Sequence, residues 1–125
     1  MELAAKLQIK PGTNVAVVGA PPEGPDLTGI GPQADDPSTA DAVIAFVVHA
    51  AELGATASPA IAAARDDRLA WIAYPKAGQL GTDINRDRLA ALVTELGVQP
   101  VRQIAIDDVW SGLRLVYRLR DRPPA

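Results

Sequence analysis

Seven consecutive apolar residues, Ala42 to Val48 (AVIAFVV), leave this chain few ways to fold. A strand with one wet face alternates apolar and polar side chains. A run that is apolar at every position needs cover on both faces, as the strands of a parallel sheet have. The run is also far too short to cross a hydrocarbon layer of about 30 Å. Ala42–Val48 is therefore expected to be a central strand, and Val15 to Val18 and Leu69 to Tyr74 repeat its character.

Helical stretches separate these runs. Ala50 to Ala64 is helical in composition but broken by Gly54 and by Ser58-Pro59, where Ser58 as cap and Pro59 as first helical residue predict a restart. Asp66-Asp67 turns the chain into the strand at Leu69. Arg86 to Leu96 is the clearest helix: Leu89, Leu92, Val93 and Leu96 share one face, Asn85 suits its start and Gly97 its end. Glu2 to Leu7 reads as a short helix stopped by Pro11-Gly12. Val101–Ile106 and Leu113–Leu119 read as strands whose linker, Asp107 to Gly112, is too short for a parallel crossover, so they form an antiparallel hairpin. The order predicts an α/β fold: a three-layer, Rossmann-like, mostly parallel sheet ending in that hairpin. With 125 residues the chain is expected to be a single domain, residues 1–125. Residues 20–40, with five Pro and three Gly, form a loop with at most a helical turn near Leu27, and 120–125 a flexible tail.

Composition excludes several functions. Residues 1–62 carry 2 basic and 7 acidic side chains, a balance of −5, and residues 63–125 carry 10 and 8, a balance of +2. Neither half has the dense basic face of a nucleic-acid binder, and no membrane association is expected. The absence of Cys removes disulfides, thiol nucleophiles and cysteine metal sites, and suits a reducing compartment. Met1 to Ile9 shows no targeting signal, which points to the cytoplasm.

In an open α/β sheet, ligands sit beyond the carboxyl ends of the parallel strands. That edge should gather Gly19–Gly24, His49, Tyr74–Asp83, Asn85 and Asp107–Ser111. Lys76, Asp83, Arg86, Asp108 and Trp110 are expected to meet in one shallow depression there, with Tyr74 and Thr82 beside them. Free N–H groups at the helix start, together with Lys76 and Arg86, suit a small anionic ligand. The plainer alternative is an ion-pair network in which Lys76 pairs with Asp108, Asp83 caps or precedes the helix, and Trp110 packs over the sheet. His49, the sole histidine, is read as structural. The adjacent Asp107-Asp108 is weak evidence for a cation without further ligands, and no metal site is expected. Trp71, in mid-strand, is read as core or sheet cover. Arg114, Arg118, Arg120 and Arg122 would share one face of an extended strand, as a partner surface or a solvated stripe.

The order of elements resembles the S-adenosylmethionine-dependent methyltransferase fold, and Leu7-x-x-Lys10-Pro11-Gly12-x-x-Val15 resembles the lead-in to that family's first strand. The family's acidic, glycine-rich cofactor loop would fall at Val17–Gly24, where this chain has Pro21 and Pro22 and neither the acid nor the repeated glycines. No cofactor is therefore expected. Tyr74-Pro75-Lys76, Thr82-Asp83, Arg86-Asp87 and Pro100-Val101-Arg102-Gln103-x-Ala105-Ile106-Asp107-Asp108-x-Trp110-Ser111-x-Leu113-Arg114 are similar to the bacterial domain of unknown function 3052 family, from about Leu7 to Arg114. That resemblance implies a small methyltransferase-like fold and brings no activity with it.

Two functions follow: a non-catalytic binding or interaction module on a scaffold lacking its cofactor loop, which is favoured, or a small enzyme or anion binder using Lys76, Asp83, Arg86 and Asp108. A homodimer is a further expectation, because no regular strand after Val15–Val18 covers that strand's outer edge.

Overall fold

The computed structural model describes residues 2–22 and 24–117. Its elements are α1 (Leu3–Lys6), β1 (Val15–Val18), β2 (Ala42–Phe46), a 3-10 turn (Ala50–Glu52), α2 (Leu53–Thr56), α3 (Ser58–Arg65), β3 (Leu69–Pro75), α4 (Arg86–Glu95), β4 (Val98–Ala105) and β5 (Trp110–Tyr117). One mixed five-stranded sheet runs in the order β1-β2-β3-β5-β4. β1, β2 and β3 are parallel, and β5 lies antiparallel to both β3 and β4. The expected flexible tail, with Leu119, Arg118, Arg120 and Arg122, lies outside the described residues.

The apolar runs are buried on both sides, as their patterning requires. All of Ala42–Phe46 is buried, and its side chains alternate between two cores. Val43 and Ala45 point to the side where α3 and α4 pack, joined by Ala70, Ile72 and Tyr74 of β3 and Leu113 and Leu115 of β5. Ala42, Ile44 and Phe46 point the other way, with Trp71, Ala73 and Trp110. That second face is covered by the amino-terminal segment and the 20–40 loop, through Leu7, Ile9 and Ile30, rather than by long helices.

Polar bonds hold this cover in place. The Trp71 indole Nε1 donates to the carbonyl of Leu7 at 2.9 Å. Lys6 Nζ donates to the carbonyl of Ala105 at 2.8 Å, and Arg114 donates to the Gln8 side chain. Gly112 makes room for Trp71: a Cβ there would stand 3.3 Å from Trp71 Cε3 and 3.4 Å from Ile104 Cγ1.

The proline-rich loop is pinned at several points. Val15 N donates to the Pro32 carbonyl and Ala34 N to the Val15 carbonyl, both at 2.8 Å, so residues 32–34 cover the start of the β1 edge. Gly31, at φ +137°, runs so close to Thr13 that a Cβ would stand 2.8 Å from its carbonyl oxygen. Arg68 Nη1 donates to the carbonyls of Pro37 and Ala40, each at 2.8 Å. The loop thus covers the start of the β1 edge through one isolated bridge, Val15 to Gln33, and among the described residues no regular strand lies along it, as the sequence reading expected. Val17 points its N–H and C=O the same way as Val15, and among the described residues no backbone group outside the sheet bonds to them.

Several boundaries differ from the sequence reading, among them the end of β2, at Phe46 rather than Val48. Ser58 is the first residue of α3 rather than its cap, because Ala57 is already in the right-handed helical region and α2 leads straight into α3. β4 begins at Val98, three positions before the expected Val101, and includes Pro100. A sheet-edge strand tolerates Pro because its outer N–H needs no partner. The register slips between Pro100 and Arg102, leaving Val101 48% exposed. β5 begins at Trp110 rather than Leu113, since Asp107 Oδ1 accepts from the amides of Val109 and Trp110 and closes the turn at once.

Candidate functional site

Beyond the carboxyl end of β3, on the α4 side of the sheet, lies an open depression of about 430 Å³. Three stretches of chain build it. β3 supplies Tyr74, Lys76 follows directly after that strand, the start of α4 supplies Asn85 and Arg86, and the hairpin supplies Gln103, Ala105 and Ser111. Lys76 is held there because its amide donates to the Val109 carbonyl at 2.7 Å, which ties the end of β3 to the hairpin turn. Arg86 opens α4, whose cap is Asn85: its side-chain oxygen accepts from Arg88 N at 2.8 Å. The amides of Arg86 and Asp87 keep no partner within the helix, and the helix dipole makes this end attractive to negative charge.

The floor is polar but neutral. Tyr74 is 2% exposed and Ser111 5%, and the two are directly paired across β3 and β5. The Tyr74 hydroxyl is buried and has no hydrogen-bond partner. Burial pushes the phenol pKa above its ordinary value, against smaller opposing effects of the Arg86 guanidinium and the Ser111 hydroxyl. No hydrogen bond of normal geometry joins Tyr74 to Ser111, so their proximity does not satisfy the phenol. Tyr74 therefore stays a neutral donor at physiological pH.

The rim is cationic. Lys76 and Arg86 line the depression, and no carboxylate does. Among the described residues Lys76 makes no ion pair. Arg86 has only Asp87, its exposed sequence neighbour, at 3.5 Å, a surface pair of little energetic value.

Thr82 and Asp83 belong to a separate cluster that fastens the 76–85 loop to the end of β2. The Thr82 hydroxyl donates to the Val48 carbonyl, and Asp83 Oδ1 accepts from Ala50 N at 2.9 Å. His49 Nδ1 and Arg88 Nη1 each stand 3.9 Å from the Asp83 carboxylate. The Ala50 amide holds the Asp83 carboxyl below its usual pKa, with Arg88 and His49 adding smaller pulls and burial a small opposing one. Glu52 Oε1 accepts from the amides of Val48 and His49 at 2.9 and 2.6 Å, completing the fastening.

Asp108 sits exposed in the hairpin turn, at the same end of the sheet as Lys76 but outside the lining of the depression. Trp110 lies on the opposite face, 1% exposed, its ring edge-on to Phe46 with centroids 5.1 Å apart. Of the seven residues expected from sequence, the depression thus gathers Tyr74, Lys76 and Arg86. Ser111 and Gln103 join them without having been singled out. Their signal was the strand alternation, which places both on the Tyr74 face once β5 starts at Trp110. Among the described residues no group of three or more His, Asp or Glu could hold a metal ion, and no helix is long and apolar enough to cross a membrane. No known family model matches the chain, and a search of curated proteins finds no match.

Proposed function

We propose that this chain is a non-catalytic binding module that takes a small anionic ligand in the depression between β3, α4 and the hairpin. The observation that carries the reading is the charge of the lining: Lys76, Arg86 and the amino end of α4 face one cavity that no carboxylate lines, in a chain of net charge −3. Two cations on one cavity whose lining has no carboxylate are favoured once an anion bridges them, more so than by the exposed Arg86–Asp87 pair alone. Asp83 is engaged by Ala50 and neither it nor Asp108 lines the cavity, so a catalytic carboxylate there has no support. The proposed scaffold is a methyltransferase-like, Rossmann-like fold related to the domain of unknown function 3052 family. Its support is the set of sequence motifs quoted above, together with a final antiparallel strand set beside three parallel ones.

Calorimetric titration with inorganic phosphate tests the binding reading. A charge-assisted hydrogen bond contributes about 1.5–3 kcal/mol, so Arg86→Ala should weaken phosphate by about 10- to 100-fold, with Lys76→Ala in the same direction. Equal phosphate affinity in the wild type and the Lys76→Ala/Arg86→Ala double variant would remove the reading.

A further inference from the structure

Resting on that reading, we infer that the ligand is a small hydroxylated phosphomonoester, of the sugar-phosphate class, bound by its two ends. The phosphate end is argued from charge. Two separate cations, Lys76 and Arg86, line one rim, and Arg86 is the first residue of a ten-residue helix. A phosphomonoester carries about 1.5 to 2 negative charges at neutral pH and three acceptor oxygens, which matches two cations better than a single carboxylate does.

The body of the ligand is argued from the floor. Tyr74 OH is a buried donor without a partner, an arrangement proteins seldom keep unless something else fills the valence. Ser111 lies opposite it on the neighbouring strand, and Gln103 stands on the same side of the hairpin. These are hydroxyl and amide groups, able to donate to and accept from neutral oxygens and unsuited to neutralising a second charge. Nonpolar side chains in the lining come from Ala77 and Ala105, the Ile104 side chain packing in the second core, and Tyr74, the one aromatic residue in the lining, belongs to the floor. A compact polyhydroxylated body therefore suits the cavity better than a purine or pyrimidine needing a stacking partner. The volume of about 430 Å³ lies in the range of small-molecule sites.

Ribose 5-phosphate, inorganic phosphate and adenosine 5′-monophosphate are the probes, titrated calorimetrically into the wild type, Tyr74→Phe and Arg86→Ala. The wild type should bind ribose 5-phosphate at least about tenfold more tightly than phosphate, and no more weakly than the nucleotide. Tyr74→Phe should lose about three- to tenfold of the ribose 5-phosphate affinity and leave phosphate unchanged. Ser111→Ala, which keeps the phenol and removes the neighbouring hydroxyl of the floor, should act in the same direction. Arg86→Ala should weaken all three probes.

If ribose 5-phosphate binds no better than phosphate, or if Tyr74→Phe affects both equally or neither, the bipartite ligand is overturned while anion binding survives. Tighter binding of the nucleotide overturns the sugar-phosphate class. Failure of all three probes to bind at millimolar concentration overturns both readings. Circular dichroism of each variant separates lost affinity from lost folding.

Discussion

Removing one oxygen atom should make the free protein more stable. Tyr74 is 2% exposed, and its hydroxyl is buried without a hydrogen-bond partner. An unpartnered buried hydroxyl costs about 1–3 kcal/mol by mutational measures, because the water it gave up is not replaced. Phe at position 74 keeps the ring, and with it the packing within the α3/α4 core, and drops only the uncompensated group. A gain of about 1 kcal/mol is expected. Unfolding entropy of about 2.1 cal/mol/K per residue implies a rise in Tm of about 4 °C for a domain of this length.

Urea unfolding followed by tryptophan fluorescence suits the measurement, since Trp71 and Trp110 are both fully buried and report on the second core. The midpoint should rise with an unchanged m-value, because the surface exposed on unfolding hardly changes. A saturating ligand that hydrogen-bonds to Tyr74 should shrink or reverse the difference, since it stabilises the wild type more than the variant. A loss of 1 kcal/mol or more in the free Tyr74→Phe variant would refute the reasoning. It would mean that the phenol is satisfied in the free protein and that its partner, not a ligand, explains it.

Other substitutions probe the fold. Gly112→Ala should destabilise by about 1 kcal/mol in urea titrations, because its Cβ would stand 3.3 Å from the fully buried Trp71 ring; a neutral result would mean that the second core yields there. Asp107→Ala should cost about 1–2 kcal/mol by removing the acceptor of two turn amides, read from the same titrations. The depressed pKa of Asp83 contributes stability that is present above the unfolded-state value of about 3.9 and is lost as pH falls through the lower folded value. Acid unfolding of Asp83→Asn should accordingly be shallower than that of the wild type in the range below about pH 4, and superimposable acid limbs would contradict the Ala50–Asp83 bond.

The strands and their neighbours were legible because burial on both faces leaves a plain mark. AVIAFVV and LAWIAY have no polar residue to turn to solvent, and β2 and β3 lie where that requires. Strand ends were harder. Pro100 and the bulge at Val101 hid the first residues of β4, since Pro argues against a strand until its place at a sheet edge is known. The floor of the depression suffered from the same difficulty: Ser111 reads as a turn residue until the Asp107 side chain is seen to close the turn early.

The split between the Lys76–Arg86 rim and the Asp83 cluster was invisible for another reason. Residues 82 and 86 are four positions apart, but the chain between them is the entry to α4, so side chains on either side of Asn85 leave in different directions. Sequence proximity predicted company, and the helix cap divides it. Trp110 was placed at the correct end of the sheet and on the wrong face, which one residue of strand register decides.

Among the described residues the last strand in sequence is not the last in space. β5 lies between β3 and β4 and pairs with both. A ribosome delivers the chain from its amino end, so β3 is made with one side open, and β4 is made with no neighbour in the sheet at all. Until Trp110–Tyr117 emerges, the apolar edge of Leu69–Pro75 is available to any other unpaired strand nearby. A nascent chain paused before Trp110 is thus the form most exposed to mispairing. Arrival of one segment of eight residues closes both gaps together and buries Trp110 against Phe46.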